Sequence, residues 1–133
     1  MHRLLILISG FLLVFSCEPK TERPADALGT ARVFIRSSLD GDYDMAKTLL
    51  LKDSINLLEL QELEKNYNSR LAKEEKEAFQ KASILIHSVE QVSDSIVIIN
   101  YSNSYKKKKM PMRVILKDGL WQVDLNYTFS GNL

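Results

Sequence analysis

The stretch Asp118–Tyr127, DGLWQVDLNY, decides how this chain folds. Asp118-Gly119 is a tight polar turn. After it Trp121, Val123, Leu125 and Tyr127 stand at alternate positions, with Gln122, Asp124 and Asn126 between them. A period of two marks a strand with one buried face, so the pattern predicts a final β-strand over 120–127. Asp124 is expected on the face opposite Trp121, Val123 and Leu125.

Outward from that strand, the run from Ser83 contains three more. Met110, Met112, Val114 and Leu116 alternate with Pro111, Arg113, Ile115 and Lys117. Pro111 has no N–H to give a ladder and belongs at an edge or a strand start. Ile96–Tyr101 is β-branched almost throughout, the composition of a strand covered on both faces. Ser83–Gln91 alternates again, and Ser93-Asp94-Ser95 is its turn. Between the second and third strands lie Lys106, Lys107, Lys108 and Lys109. Such a run reads as a hairpin tip whose charge discourages edge pairing. It can also meet an anionic surface, where each lysine contributes about 1 kcal/mol.

Upstream the spacing turns helical. Ala27, Ala31, Phe34, Ile35 and Leu39 recur every three or four residues, with Arg32 and Arg36 on the other side. Pro24 stands in front of this helix, and Gly41 suits the left-handed position after its end. Asp42 is the expected cap of a second short helix over 43–50. Asp53 and Ser54 are the expected caps of a third, with Ile55, Leu58, Leu60, Leu63 and Tyr67 as its apolar positions and a break at 66–69. Lys73–Lys81, KEEKEAFQK, is a solvated helical run with opposite charges at close spacing. Glu74, Glu75 and Glu77 have no histidine near them, so no metal site is expected there, and no cofactor is expected elsewhere. Helices followed by an antiparallel meander predict an α+β domain, N-terminal helices packed on a curved antiparallel sheet of about four strands.

The first residues, MHRLLILISGFLLVFSC, form a separate segment. Arg3 gives a short positive start, and Leu4–Phe15 is an apolar run shorter than the about 20 residues of a membrane span. It suits the apolar region of a signal peptide. Cys17, the only cysteine of the 133 residues, follows at once. With Val14 three residues before it and Ser16 directly before it, the segment resembles a bacterial lipoprotein signal. That resemblance implies cleavage before Cys17 and a diacylglycerol on its thiol, hence export and a lipid anchor in the cell envelope. Glu18 in place of an aspartate favours the outer membrane. An anchor with more than one acyl chain is a stable one. Residues 1–16 are then the signal peptide, 17–27 the lipidated cysteine and a Pro-containing tether, 28–129 the domain and 130–133 a tail. Removing residues 1–16 takes away Arg3 alone, so Lys and Arg fall from 18 to 17 against 17 Asp and Glu. A near-neutral domain is not a general nucleic-acid binder.

Three stretches carry a second resemblance: FIRSSLDGDYDMAKTLL (34–50), the strand pair Ile84–Tyr101, and VILKDGLWQVD (114–124). In this order they are similar to the nuclear-transport-factor-2-like, or SnoaL-like, superfamily, and within it to a group of bacterial lipoproteins. The resemblance implies a cone-shaped domain, a bent sheet wrapped around the first helix with a pocket at its open end. It places Phe34 and Leu39 against the sheet. The family often has a small strand after its second helix, where Asp53–Ala82 here reads as helix. Some members are isomerases, hydrolases or dehydratases that use Asp, Tyr, His or Arg in the cone. The candidates in this chain are His87, Tyr101, Arg113 and Tyr127, with Asp124 on the other face. No motif joins them into an acid–base pair, and a fold does not supply chemistry. The expectation is therefore a non-enzymatic domain for a small apolar ligand or a protein partner. A pocket enzyme is the alternative, and headgroup binding by Lys106–Lys109 is a third.

Overall fold

The computed structural model describes residues 22–130. The signal segment, Cys17 and the last three residues, 131–133, lie outside the described residues. Four helices, α1 (Ala27–Asp40), α2 (Tyr43–Thr48), α3 (Ser54–Arg70) and α4 (Lys73–Lys81), precede four strands, β1 (Ile84–Ser93), β2 (Ile96–Asn103), β3 (Met110–Lys117) and β4 (Leu120–Asp124). A short helix, α5 (Leu125–Phe129), ends the chain. The strands pair in sequence order, each antiparallel to the next. The α+β layout is thus helices first, then a four-stranded antiparallel meander.

Helix α1 exists because its ends are capped and one side is apolar. Asp26, not Pro24, is the cap: its carboxylate accepts the Gly29 N–H at 2.6 Å. Gly41 closes the helix at φ 77°, a conformation open to glycine at little cost. Ala31, Phe34 and Ile35 are buried against Val97 and Ile99 of β2, Met112 and Val114 of β3 and Val123 of β4. α1 packs against all four strands. Each of the larger side chains contributes about 1.5–3 kcal/mol through burial, so this face is the main support of the fold. Trp121 is half-buried at the margin of the same core.

Several segments differ from the sequence expectation. The final strand stops at Asp124 instead of running to Tyr127. Pro111 stands where β3 would have to pair onward, offers no N–H, and gives its carbonyl to the Thr128 hydroxyl at 2.8 Å. The Asn126 N–H goes to Asn56 Oδ1 at 3.0 Å. With these backbone groups satisfied by side chains, 125–129 coils into α5. Helix α3 is unbroken at 66–69, because Tyr67 is buried there, edge-on to Tyr43 at 5.8 Å. The buried positions of α3 are Asn56, Leu60 and Tyr67, whereas Ile55 and Leu58 are 53% and 61% exposed. Arg36 is no idle surface residue. Its guanidinium donates to Phe79 O, Gln80 O and Ala82 O, carbonyls at the end of α4. Residues from the stretch read as tether also join the domain. Arg23 donates to Thr48 O and Trp121 O, both at 2.7 Å.

Beside β4, Leu50 forms one parallel bridge with Val123. Leu51 N–H donates to Val123 O at 2.9 Å, and Val123 N–H to Leu49 O at 2.8 Å. The chain after α2 thus covers the free edge of β4.

Candidate functional site

A cavity of about 520 Å³ opens between α1, α3, β2, the β2–β3 hairpin and α5. Its volume is in the range of small-molecule sites, about 300–1,000 Å³. Phe34, Ile35 and Leu39 of α1, Tyr67 of α3 and Leu125 of α5 back it from the core, while Leu63 of α3, Met110 of β3 and Phe129 of α5 give it open apolar surface. Two other hollows have similar volumes. One lies between α2 and α3 beside Asp44, Lys47 and Glu64, and one beside Arg32, Arg36, Asp40 and Asp42. Both are lined with mixed charge, which water satisfies as well as a ligand does. The first cavity alone joins an apolar wall to a few convergent polar groups.

Those polar groups are Ser38, Tyr43, Tyr67 and Tyr101, Asn66 and Asn103, and Lys106 and Lys108. Strand alternation puts Tyr101 on the side of Val97 and Ile99. Burial pushes its phenol up to about 12. The Tyr43 phenol is also raised to about 12, by burial first and then by its neighbours Tyr67 and Glu64. Both remain neutral at physiological pH and act as hydrogen-bond donors or acceptors. Tyr67 Oη accepts from Gln80 Nε2 at 3.3 Å. The Asn66 Oδ1 atom is buried with no hydrogen-bond partner among the described residues. An orphan acceptor of this kind costs about 1–3 kcal/mol, and a donor entering the cavity would relieve it.

The hairpin beneath the lysines has a fixed shape. Asn103 Oδ1 accepts the N–H groups of Tyr105 and Lys106 at 3.0 and 2.9 Å, and Asn103 O accepts that of Lys107 at 2.9 Å. Lys107 takes φ 58°. Tyr105 meets Phe79 edge-on at 5.0 Å, and the Lys106 ammonium stands 5.1 Å from the Tyr105 ring. Lys106 and Lys108 line the cavity; Lys107 and Lys109 do not. No aspartate, glutamate or histidine among the described residues lines it. Neither lysine has a carboxylate partner among the described residues.

Of the residues expected at a pocket, only Tyr101 lines this one. His87 occupies a β-bulge between Ile86 and Ser88. A bulge adds one residue and inverts the alternation, so His87 is exposed with Nε2 2.7 Å from Ser102 Oγ, on the side of the sheet away from Tyr101. Arg113 and Tyr127 belong to a different cluster. Arg113 Nε donates to Asp124 Oδ2 at 2.9 Å, and its guanidinium lies 4.8 Å from the Tyr127 ring centre. Asp124 also accepts from Asn56 Nδ2 at 3.3 Å, and the same amide donates to Asp53 Oδ2 at 2.9 Å. Asp124 does stand opposite Val123, as its position in the alternation requires.

Sequence reading missed Asn56 and Asn66. Asn56 looks like one more polar residue in a first helical turn; its partners Asp124 and Asn126 are 68 and 70 residues away. Asn66 sits one position before the buried Tyr67, and nothing local marks it. Chemically, the cavity offers neutral phenols, amides and two cations around an apolar space. It has no paired acid and base at hydrogen-bond distance. No group of three or more His, Cys, Asp or Glu able to hold a metal occurs among the described residues. No helix among them is long and apolar enough to cross a membrane. No protein-family model matches the chain, and no curated protein or solved structure matches it.

Proposed function

We propose that this chain is a lipid-anchored protein of the bacterial cell envelope whose domain, of the cone-shaped nuclear-transport-factor-2-like kind, binds a small, largely apolar ligand without transforming it. The cavity carries this reading. It is apolar over most of its wall, has polar groups at a few points, and has no carboxylate or imidazole among the described residues that line it, the groups that most often carry acid–base chemistry. The leader Met1–Ser16 and Cys17 support the anchor, with Glu18 favouring the outer membrane. The Leu50 bridge to Val123 supports the family resemblance, since it falls where those domains carry a small strand after the second helix.

Native mass spectrometry of the full chain, released from membranes after expression, tests ligand binding. The expected result is an added mass of one small organic molecule per chain, lost when Tyr101 is changed to Trp to fill the cavity. A bare chain in every preparation, with no uptake of added apolar ligands, refutes the reading. The anchor has its own test. Cys17→Ser is expected to abolish labelling by a radioactive fatty acid, and labelling that persists rules the anchor out.

The second reading is a headgroup contact through Lys106–Lys109, favoured by their position on one exposed hairpin. Under it all four lysines act alike on an anionic surface.

A further inference from the structure

The four lysines are not alike. The hairpin turns at Lys107, so side chains 106 and 108 line the cavity while 107 and 109 point elsewhere. The turn is fixed by three hydrogen bonds to Asn103, itself part of the wall. The cavity therefore has two cations among its lining residues, no acid, and an apolar wall from α1, α3 and α5. A neutral hydrocarbon would leave both cations without a counter-charge. A cationic amphiphile would meet like charge. The cavity's volume of about 520 Å³ lies in the range of sites for small ligands, about 300–1,000 Å³, a size suited to one acyl chain. On these grounds, and resting on the ligand-binding reading above, we infer that the cavity takes a single-chain amphiphile with an anionic head, a free fatty acid in class, whose carboxylate pairs with Lys106 and Lys108 while its chain lies against Leu63, Leu71 and Phe129, the partly exposed apolar residues of the wall.

The pairing is charge-assisted and partly exposed to solvent, so the head contributes about five- to tenfold in affinity. The chain contributes the rest through burial.

The test uses the full chain held in nanodiscs of zwitterionic lipid, with empty discs as the blank. A photoreactive diazirine analogue of laurate is cross-linked to the protein and displaced by laurate, lauryl alcohol or laurylamine. Laurate is expected to displace it at about five- to tenfold lower concentration than the alcohol, and laurylamine least well. The double variant K106Q/K108Q is expected to lose the advantage of laurate over the alcohol. K107Q/K109Q removes the same net charge and is expected to keep it. Equal loss in both double variants, or no preference for laurate in the wild type, overturns the inference and leaves the ligand-binding reading standing. Failure of both laurate and the alcohol to compete in a folded chain overturns that reading as well. The unfolding midpoints of the two variants, expected to match wild type, exclude a trivial loss of fold.

Discussion

Two polar regions of this molecule stand on opposite terms with their surroundings. In the first, Asp53, Asn56, Asp124 and Arg113 hand hydrogen bonds to one another and tie α3 to β3, β4 and α5. In the second, Tyr101, Asn66, Lys106 and Lys108 surround an open space, and among the described residues the Asn66 amide oxygen is unpaired and neither ammonium forms an ion pair. Closed networks rigidify a fold, because each member would be costly to leave alone. Open ones hold binding capacity in reserve. Mutations in the first region should therefore move stability, and mutations in the second should move binding.

The largest effect is expected outside both polar regions, at the end of α1, where Gly41 packs against the Tyr67 ring. A Cβ added at Gly41 would come within 2.4 Å of Tyr67 Cε1, at a φ of 77°. Gly41→Ala combines backbone strain of about 1 kcal/mol with overpacking of about 1–3 kcal/mol. Denaturant unfolding should show a loss of about 2–4 kcal/mol, and a loss below 1 kcal/mol would mean that Tyr67 moves freely.

Asp124→Ala comes next. Breaking a fully buried pair costs about 3–5 kcal/mol. Here Asp124 is 6% exposed, but Arg113 is 34% exposed and reaches water, so about 2 kcal/mol is expected after that discount. Displacement of the fatty-acid probe should be unchanged in the folded variant. A change in ligand affinity larger than the change in stability would merge the two regions into one.

Asp53 gives the closed network a pH signature. The Asn56 backbone N–H first, and its side-chain amide second, hold the Asp53 carboxyl below its ordinary value. A depressed folded pKa means stability that is present above the unfolded value of 3.8 and lost as pH falls through the folded one. Wild type should thus lose urea resistance below about pH 4 more steeply than Asp53→Ala. That variant also lacks the α3 cap and should be about 1 kcal/mol weaker at pH 7. Identical acid limbs would assign the cap no carboxylate component.

The two regions also differ in how far the sequence announced them. Strand alternation is local, so β1, β2 and β3 and their turns were legible from residue types alone. So were Asp42 and Asp53 as helix caps and Gly41 as a helix end. What was not legible depends on partners distant in the chain. Leu125 and Tyr127 continue the alternation of β4, yet Asn56 and the Pro111 carbonyl draw that segment into a helix. One inserted residue at the β1 bulge moves His87 to the other side of the sheet. Ile55 and Leu58 fit a helical stripe, but the side of α3 that packs is set by Asn56, Leu60 and Tyr67. In the cavity, four consecutive lysines carry no sign of which two face inward; the Asn103 turn decides it.

The smallest effect should come from Tyr101→Phe, and it separates the regions most cleanly. A buried, bonded hydroxyl contributes about 1 kcal/mol. The Tyr101 hydroxyl has no hydrogen-bond partner among the described residues, so its loss should shift stability at pH 7 by less than about 0.5 kcal/mol. The alkaline limb should respond instead. The phenol pKa is raised from 10.0 to about 12 by burial. A raised folded value contributes stability that is present in full below the unfolded value near 10 and is lost as pH rises from there through the folded value. Tyr101→Phe should therefore flatten the loss of stability between pH 10 and 12, and phenolate absorbance should show one fewer late-titrating tyrosine. Tyr43, raised to a similar value, should remain as a second late titration in the variant. A Tyr101 that titrates near 10 would show that water already fills the cavity around it, and that the space is a wet cleft with no preference for an acyl chain.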